Sequence, residues 1–248
     1  MKLLKFNLHG KTAHFKKPDV NAYAYYTYSH IHKIALYGIL GAILGLGGYN
    51  QQREEKYPEF YARLKEVRLG IVPIGKRRGY FSKKMITFNN SVGYANIGAD
   101  KAPCNLVVRE QWLEDVAWEI YIALDDLKDV KLKEKLVEYI LNSKAEYIPY
   151  LGKNDHIANI SNPQLIECDI EEDVEQINSL FYYDEVELDD EAIDTNEVTY
   201  LFKDYMPTAL KKENNMYELK ELAFTNRAVE DLNDQVIILD GEKYIALL

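Results

Sequence analysis

The first element of the chain is marked by alternating apolar and polar positions. Between Lys2 and His9, Leu4, Phe6 and Leu8 fall on one side and polar residues on the other. A period of two is typical of a strand with one buried face, so we predict a strand here. Residues 10–29 have no helical period and contain proline, aspartate and asparagine, which predicts a loop.

An apolar run from Ile34 to Tyr49 carries glycine at helical spacing, at Gly38, Gly41 and Gly45. This spacing lines small residues along one face of a helix that begins near Ile34. Because each internal glycine costs about 1 kcal/mol relative to alanine, we expect this face to lie very close to a sheet or to another backbone. The run is shorter than the roughly 20 residues of a membrane-spanning helix, so we predict a buried helix and no membrane segment.

The rest of the chain alternates between helical and strand periods. The predicted elements are a short helix at 58–65, strands at 67–74 and 116–124, an amphipathic helix at 131–142, and late strands at 219–224, 236–239 and 244–248. Asp240-Gly241 predicts a hairpin turn between the last two strands. The order strand, helix, strand, hairpin, strand, helix predicts an α+β fold with a ferredoxin-like (RRM-like) core.

Residues 75–104 are polar, basic and punctuated by glycine. A long segment of this kind within a compact domain is often functional. Its first cations are Lys76, Arg77, Arg78, Lys83 and Lys84. We therefore expect a protruding β-hairpin at about 75–105.

Charge is distributed unevenly along the chain. Residues 1–101 hold 17 Lys+Arg and 6 Asp+Glu, whereas residues 102–248 hold 13 and 34. A basic half suits a phosphate backbone, and an acidic half avoids nucleic acid or contacts a basic protein. Residues 167–197 contain 14 acidic residues and no Lys or Arg. The interleaved apolar residues predict a solvated helix and strand there, and an acidic docking surface for a basic partner is the alternative.

The cysteines and the histidines give no sign of a metal site. Cys104 and Cys168 are the only cysteines, and neither lies at a metal-ligand spacing, which argues against a disulfide scaffold and against structural zinc. His30 and His32 have no acidic or Cys partner nearby, so no metal and no cofactor is predicted. The N-terminus does not lead into the apolar core of a signal peptide. We expect a cytoplasmic protein.

Three motifs near the N-terminus carry a family resemblance: Phe6-Asn-Leu-His-Gly10, Ala13-His-Phe-Lys-Lys-Pro18 and Ala35-Leu-Tyr-Gly-Ile-Leu-Gly-Ala-Ile-Leu-Gly45. They resemble the start of CRISPR-associated protein 5, a family of the repeat-associated mysterious protein (RAMP) group. Further matches are Val92-Gly-Tyr-Ala-Asn96, Arg109-Glu-Gln111 and Pro149-Tyr-Leu-Gly152. The likeness is dense at the N-terminus, patchy to about residue 155 and absent beyond, and it is greatest to the type I-B branch.

The resemblance implies a RAMP ferredoxin-like domain at 1–160, with a thumb hairpin at about 75–105. The acidic C-terminal extension at 161–248 would pack on the same core. The resemblance also implies a subunit of Cascade, the RNA-guided surveillance complex, that caps the 5′ handle of the guide RNA. The implied partners are this handle, the large subunit, the backbone subunit and, in the assembled complex, target DNA.

The candidate site residues follow from how proteins bind single-stranded RNA. Cations contact the phosphates, and aromatic rings stack on splayed bases. The predicted RNA contacts are Lys11, His14, Phe15, Lys16, Lys17 and Tyr28 in the loop; Arg77, Arg78, Lys83 and Lys84 on the hairpin; and, from the resemblance, Tyr94, Asn96 and Arg109. For Phe15 and the loop tyrosines, burial in the core is the alternative.

Three functions remain open at this point. The resemblance favours a non-catalytic RNA-binding subunit, because type I-B systems normally have a separate processing nuclease. Type I-C members cleave the precursor RNA themselves without metal, and His9, Lys11 and His14 would supply a base, a cation and an acid for such cleavage. A metal-independent endoribonuclease is therefore one alternative. A pure protein-interaction module, whose basic half binds an acidic partner, is the other.

Overall fold

A five-stranded sheet lies at the centre of the computed structural model, which describes residues 1–19, 22–74, 77–91, 93, 97, 105–192, 194 and 197–248. The strands are β1 (Lys2–Ala13), β2 (Leu69–Pro73), β3 (Ser82–Asn89), β4 (Val107–Ala123) and β5 (Asn159–Glu167). Their order is β2-β4-β1-β5, with β3 paired to the first half of β4. All of these pairs are antiparallel.

The helices between these strands are α1 (Lys33–Leu44), α2 (Glu59–Leu64) and α3 (Val130–Leu141). Both long helices begin at a side-chain cap: His32 Nδ1 accepts from the Ala35 N–H, and Asp129 Oδ1 accepts from the Leu132 N–H at 3.1 Å. Helix α1 ends at Gly45, whose φ of 78° needs a residue without a side chain. In the described ranges, no helix has both the length and the apolar character needed to cross a bilayer.

One face of the sheet packs against the helices. Leu4, Phe6 and Leu8 of β1 share a core cluster with Trp118 of β4 and with residues of all three helices. The alternation predicted for the first strand is therefore present, and the strand continues four residues further, to Ala13. Most of α1 is buried, which confirms the buried helix predicted from the apolar run.

Strand β4 is longer than the sequence predicts. Its second half, from Val116, was expected, but β4 begins at Val107 and spans 17 residues. The first half pairs with β3, from Ser82 opposite Glu114 to Asn89 opposite Val107. Strand β3 lies within the region where a protruding hairpin is predicted, at about 75–105, whereas its partner β4 begins just after that region. Most of the residues between the two strands lie outside the described ranges.

The described part of the C-terminal region adds small sheets and a 3-10 turn at Tyr183–Glu185, without an α-helix. Its strands are β6 (Asp169–Glu171), β7 (Phe181–Tyr182), β8 (Val186–Ala192), β9 (Leu201–Leu210), β10 (Tyr217–Thr225), β11 (Arg227–Leu232), β12 (Val236–Asp240) and β13 (Lys243–Leu247). They pair as β7-β10-β9, β11-β8 and β13-β12-β6. The helix expected within 167–197 was wrong: the apolar residues there, such as Ile177 and Phe181, are buried from short strands and turns.

The second face of the central sheet is covered by the hairpin of β12 and β13. Leu3 of β1 and Tyr121 of β4 pack with Ile238 and Ile245 of that hairpin. A charged cluster lies in the same interface: Lys5 and Lys243 both pair with Glu119, while Asp240 accepts from Lys5 and from the Tyr121 hydroxyl. The sheet is therefore enclosed between the helices and the C-terminal hairpin.

The small-residue face of α1 meets two different surroundings. A Cβ added at Gly41 would lie 2.6 Å from the Cβ of Phe60 on α2, so only glycine fits this close helix contact. A Cβ added at Gly38 would meet nothing within 4 Å. The expected close packing therefore holds at Gly41, whereas Gly38 faces open space.

These two glycines give a matched pair of stability predictions. Gly41→Ala should lower the free energy of unfolding by about 1–3 kcal/mol, because the methyl group overpacks against Phe60. Gly38→Ala should raise it by about 0.5–1 kcal/mol, because alanine favours the helix and has room. Urea denaturation of both variants measures the difference. Equal effects at the two positions would contradict the close contact of α1 with α2.

Candidate nucleic-acid interface

An open cleft of about 710 Å³ lies beside helix α1. Its walls come from the loop after β1, from the small-residue face of α1, from the turn at residues 48–51 and from the segment 147–152. The residues that the following paragraphs use are His14, Lys16, His32, Gly38, Tyr49, Tyr147, Tyr150 and Tyr217. The cleft therefore brings together parts of the chain that are more than 100 residues apart in sequence.

A tight backbone contact builds one wall of the cleft. The His14 N–H donates to the Leu151 carbonyl at 3.0 Å. Gly152 has a φ of 91°, and a Cβ there would lie 2.0 Å from the His14 carbonyl oxygen. Only glycine allows the segment 147–152 to lie against the loop after β1. The Pro149–Gly152 motif thus fixes this wall, while Gly38 leaves space along the helix.

Exposed aromatic rings border the cleft on two sides. Tyr147 is 65% exposed and Tyr150 is 45% exposed on the segment that Gly152 anchors, and Tyr49 is 49% exposed on the opposite turn. Exposed rings beside an open cleft can stack on bases. The sequence prediction missed all three, although Tyr150 lies within the motif Pro149–Gly152.

The charge of the cleft is positive. Lys16 lines it, is exposed, and places its ammonium 3.8 Å from the centre of the Tyr25 ring. Among the described residues that line the cleft, none is Asp or Glu. Lys11, near the end of β1, is also exposed. A cation and several rings, with no carboxylate among the described lining residues, are the groups that a single-stranded RNA backbone and its bases require.

Two predicted stacking residues are in the core, which corrects their assignment. Phe15 and Tyr28 are each 2% exposed. Phe15 packs edge-on against Trp118, with ring centres 6.0 Å apart, and burial raises the pKa of the Tyr28 hydroxyl. Phe15 contributes to the lining of the cleft, but at 2% exposure neither ring has a free face on which a base could stack. Tyr25 and Tyr26 remain partly exposed.

Other predicted cations already have protein partners. Lys17 Nζ donates to Asp204 of β9 at 2.9 Å, and Lys83 Nζ donates to the Ser29 hydroxyl at 2.9 Å. Burial lowers the pKa of Lys83. Lys84 is exposed and only 3.9 Å from Glu114. Lys17 and Lys83 therefore hold the loop, the hairpin and β9 together, and RNA would have to replace these contacts.

The structure describes only some of the remaining predicted residues. Arg109 is exposed on β4, where its carbonyl accepts from the Tyr25 N–H. Arg78 is half-buried and has a φ of 63°. The side chain of Arg77, and Tyr94 and Asn96 as a whole, lie outside the described residues. Of the predicted hairpin residues whose side chains the structure describes, Arg78, Lys83 and Lys84, none lines the cleft.

His14 is held as a neutral imidazole. Its Nδ1 lies 2.9 Å from the Gln111 carbonyl, which can only accept, so Nδ1 carries the proton and Nε2 does not. The ring is 1% exposed, and burial lowers its pKa. Its Nε2 is buried without a partner among the described residues. A ring in this state packs beneath the cleft and does not present a free nitrogen to it.

Comparison with solved structures finds related folds in proteins of very different sequence. A CRISPR protein from Archaeoglobus fulgidus superposes with a TM-score of 0.54 at 11% identity, over 99% of each chain. A chain of a CRISPR RNA-guided surveillance complex gives 0.51 at 10% identity, over 93% of this chain and 92% of that one. The present chain shares their fold.

Other comparisons are less informative. A structure described as a Cas protein gives a TM-score of 0.37 at 17% identity and matches 61% of this chain and 57% of its own length. That score is too low to support a shared fold. No protein-family model and no curated protein matches the sequence.

The buried histidines predict a loss of stability in mild acid. Burial lowers the pKa of His30 and His32 to about 3 and that of His156 to about 4. Because the unfolded-state pKa of histidine is about 6.5, the unfolded chain binds more protons below that pH. The stability is thus complete above about pH 6.5 and falls with acidification, by up to about 1.4 kcal/mol per pH unit for each histidine.

Urea denaturation at about pH 7.5, 6.5 and 5.5 measures this loss. His156→Asn should make the fall between the two lower pH values shallower, because one buried imidazole no longer has to stay neutral. An unfolding free energy that does not change over this range would contradict the burial of these rings.

Proposed function

We propose that this chain is a non-catalytic guide-RNA-binding subunit of a type I CRISPR surveillance complex, with type I-B as the nearest branch. It would hold the 5′ handle of the guide RNA. The observation that carries the proposal is the cleft beside α1, which joins exposed tyrosines to Lys16 and has no described carboxylate in its lining. Three of the segments that form it, at 13–18, 35–45 and 149–152, resemble CRISPR-associated protein 5.

The topology supports the assignment to the RAMP group. The chain order β1-α1-β2-β4-α3-β5 and the sheet order β2-β4-β1-β5 correspond to a ferredoxin-like core. In RRM domains the open sheet face binds RNA. Here the hairpin of β12 and β13 covers that face, so the RNA site of this chain has to lie elsewhere, and the cleft is the place with suitable groups.

The partners of the proposal follow from the charge distribution. Strand β3 and the cleft-lining residues up to Phe60 belong to the basic half of the chain, which suits the RNA handle. The hairpin of β3 and β4 exposes the apolar residues Met85 and Val107, which we assign to a contact with a protein partner. We assign the backbone subunit and the large subunit as protein partners, and target DNA as a partner of the assembled complex only.

The state of His14 supports the non-catalytic form of the proposal. A general base must lie within hydrogen-bond reach of the proton that it removes. The unprotonated Nε2 of His14 is buried, and the ring is almost fully covered. A cleavage role for His14 would need a rearrangement of the wall that Gly152 fixes.

RNA binding by the purified protein tests the proposal directly. For a single-stranded, repeat-derived RNA, Lys16→Ala should weaken binding and flatten the slope of log affinity against log salt by about 0.7. Tyr150→Ala should weaken binding by about 1–3 kcal/mol through lost stacking and leave the salt slope unchanged. Fluorescence anisotropy across a salt series measures both quantities.

Lys131→Ala is the matched control for charge. Lys131 is exposed on α3 and does not line the cleft, so its removal should leave the salt slope close to that of the unmodified protein. An equal effect of Lys16→Ala and Lys131→Ala would show that binding is non-specific. Absence of RNA binding by the unmodified protein, both alone and with its partner subunits, would refute the proposal.

Incubation of precursor RNA with the protein in EDTA tests the enzymatic alternative. We expect intact RNA, because no imidazole nitrogen of His14 is accessible. Site-specific cleavage that His14→Ala abolishes would establish a metal-independent endoribonuclease instead. His9→Ala serves as the comparison, since His9 is only half-buried.

A further inference from the structure

The ring of His32 has an unused hydrogen-bond donor at the cleft. His32 Nδ1 accepts from the Ala35 N–H at 3.2 Å and so caps α1. A neutral imidazole that accepts through Nδ1 carries its proton on Nε2. No protein acceptor for this Nε2–H exists among the described residues. The residue is 3% exposed and lines the cleft.

The surroundings of His32 fix the direction of this donor. Three aromatic rings enclose the imidazole edge-on, with centroid distances of 6.0 Å to Phe15, 5.2 Å to Tyr28 and 5.5 Å to Tyr217. The cap bond and the three ring contacts hold the imidazole in this orientation. The Nε2 of His32 has no protein partner among the described residues and, unlike the Nε2 of His14, is not fully buried, so it can donate to a ligand in the cleft.

The electrostatics of this end of the cleft favour an anionic acceptor. His32 lies at the N-terminus of a helix of 12 residues, where the helix dipole is positive. Lys16 lines the same cleft and is exposed. Helix N-termini with a nearby cation commonly bind phosphate. The donor set is therefore one neutral N–H, the positive end of α1 and one ammonium group.

We infer that His32 Nε2–H and Lys16, at the N-terminus of α1, bind one phosphate group of the RNA that occupies the cleft. This subsite rests on the proposed function and makes it more specific. His32 supplies direction through a neutral donor, whereas Lys16 supplies charge. The two residues should therefore differ in how their removal changes the salt dependence of binding.

His32→Asn separates capping from ligand binding. Asparagine is among the best N-cap residues, so its side-chain oxygen can accept from the Ala35 N–H and keep α1 intact, while the Nε2–H is lost. We expect about a tenfold loss of affinity for repeat-derived single-stranded RNA, as for a lost hydrogen bond to a charged group. The salt slope should stay unchanged, in contrast to Lys16→Ala. His32→Ser, another N-cap residue, should behave in the same way.

A set of RNAs with one neutral methylphosphonate linkage each then identifies the acceptor. One linkage should weaken binding to the unmodified protein and have no further effect on His32→Asn. If every linkage weakens the variant as much as the unmodified protein, the acceptor is a base or a ribose and the phosphate subsite is wrong.

If His32→Asn binds like the unmodified protein while Lys16→Ala is weaker, the inference fails and the proposed function stands. If the unmodified protein binds no RNA at all, both fail. Urea denaturation of each variant confirms that the fold is retained.

Discussion

The antiparallel pairing of β1 with β4 organises the rest of the molecule. It runs from Leu3 opposite Ala123 to Ala13 opposite Leu113. This register directs one set of side chains to the helices and the alternate set to the C-terminal hairpin. The end of β1 leads directly into the loop that borders the cleft, and the start of β4 continues into the hairpin with β3. A slip by one residue would exchange both buried faces at once.

Much of the fold could be predicted because its main elements each bury one face. The alternation of β1 and the small-residue helix α1 are local patterns that report burial directly. The first half of β4 was missed because it carries charged residues such as Arg109, and because its buried positions, Glu110 and Leu113, do not alternate. Strands β6 and β7 have three and two residues, which is too short for any periodicity to appear.

The site was less predictable, because local sequence does not show what covers a loop. Lys16 and Phe15 are neighbours, yet one is exposed and the other is in the core. Asp204 and Tyr217, which contact the loop region, come from strands nearly 200 residues later in the chain. The exposed rings of Tyr147 and Tyr150 were missed for the same reason. Their place at the cleft depends on the backbone contact of Gly152 with His14.

The C-terminal hairpin also changes what a domain boundary near residue 160 would mean. Residues 1–160 contain β1, β2 and β4, but the side chains of Leu3, Val72 and Tyr121 are buried by residues from β12 and β13. Glu119 lies under the same hairpin and is paired with Lys243. A chain that ended near residue 160 would expose this apolar sheet face, and the Glu119 carboxylate would lose its ion pair with Lys243. Such a surface promotes self-association.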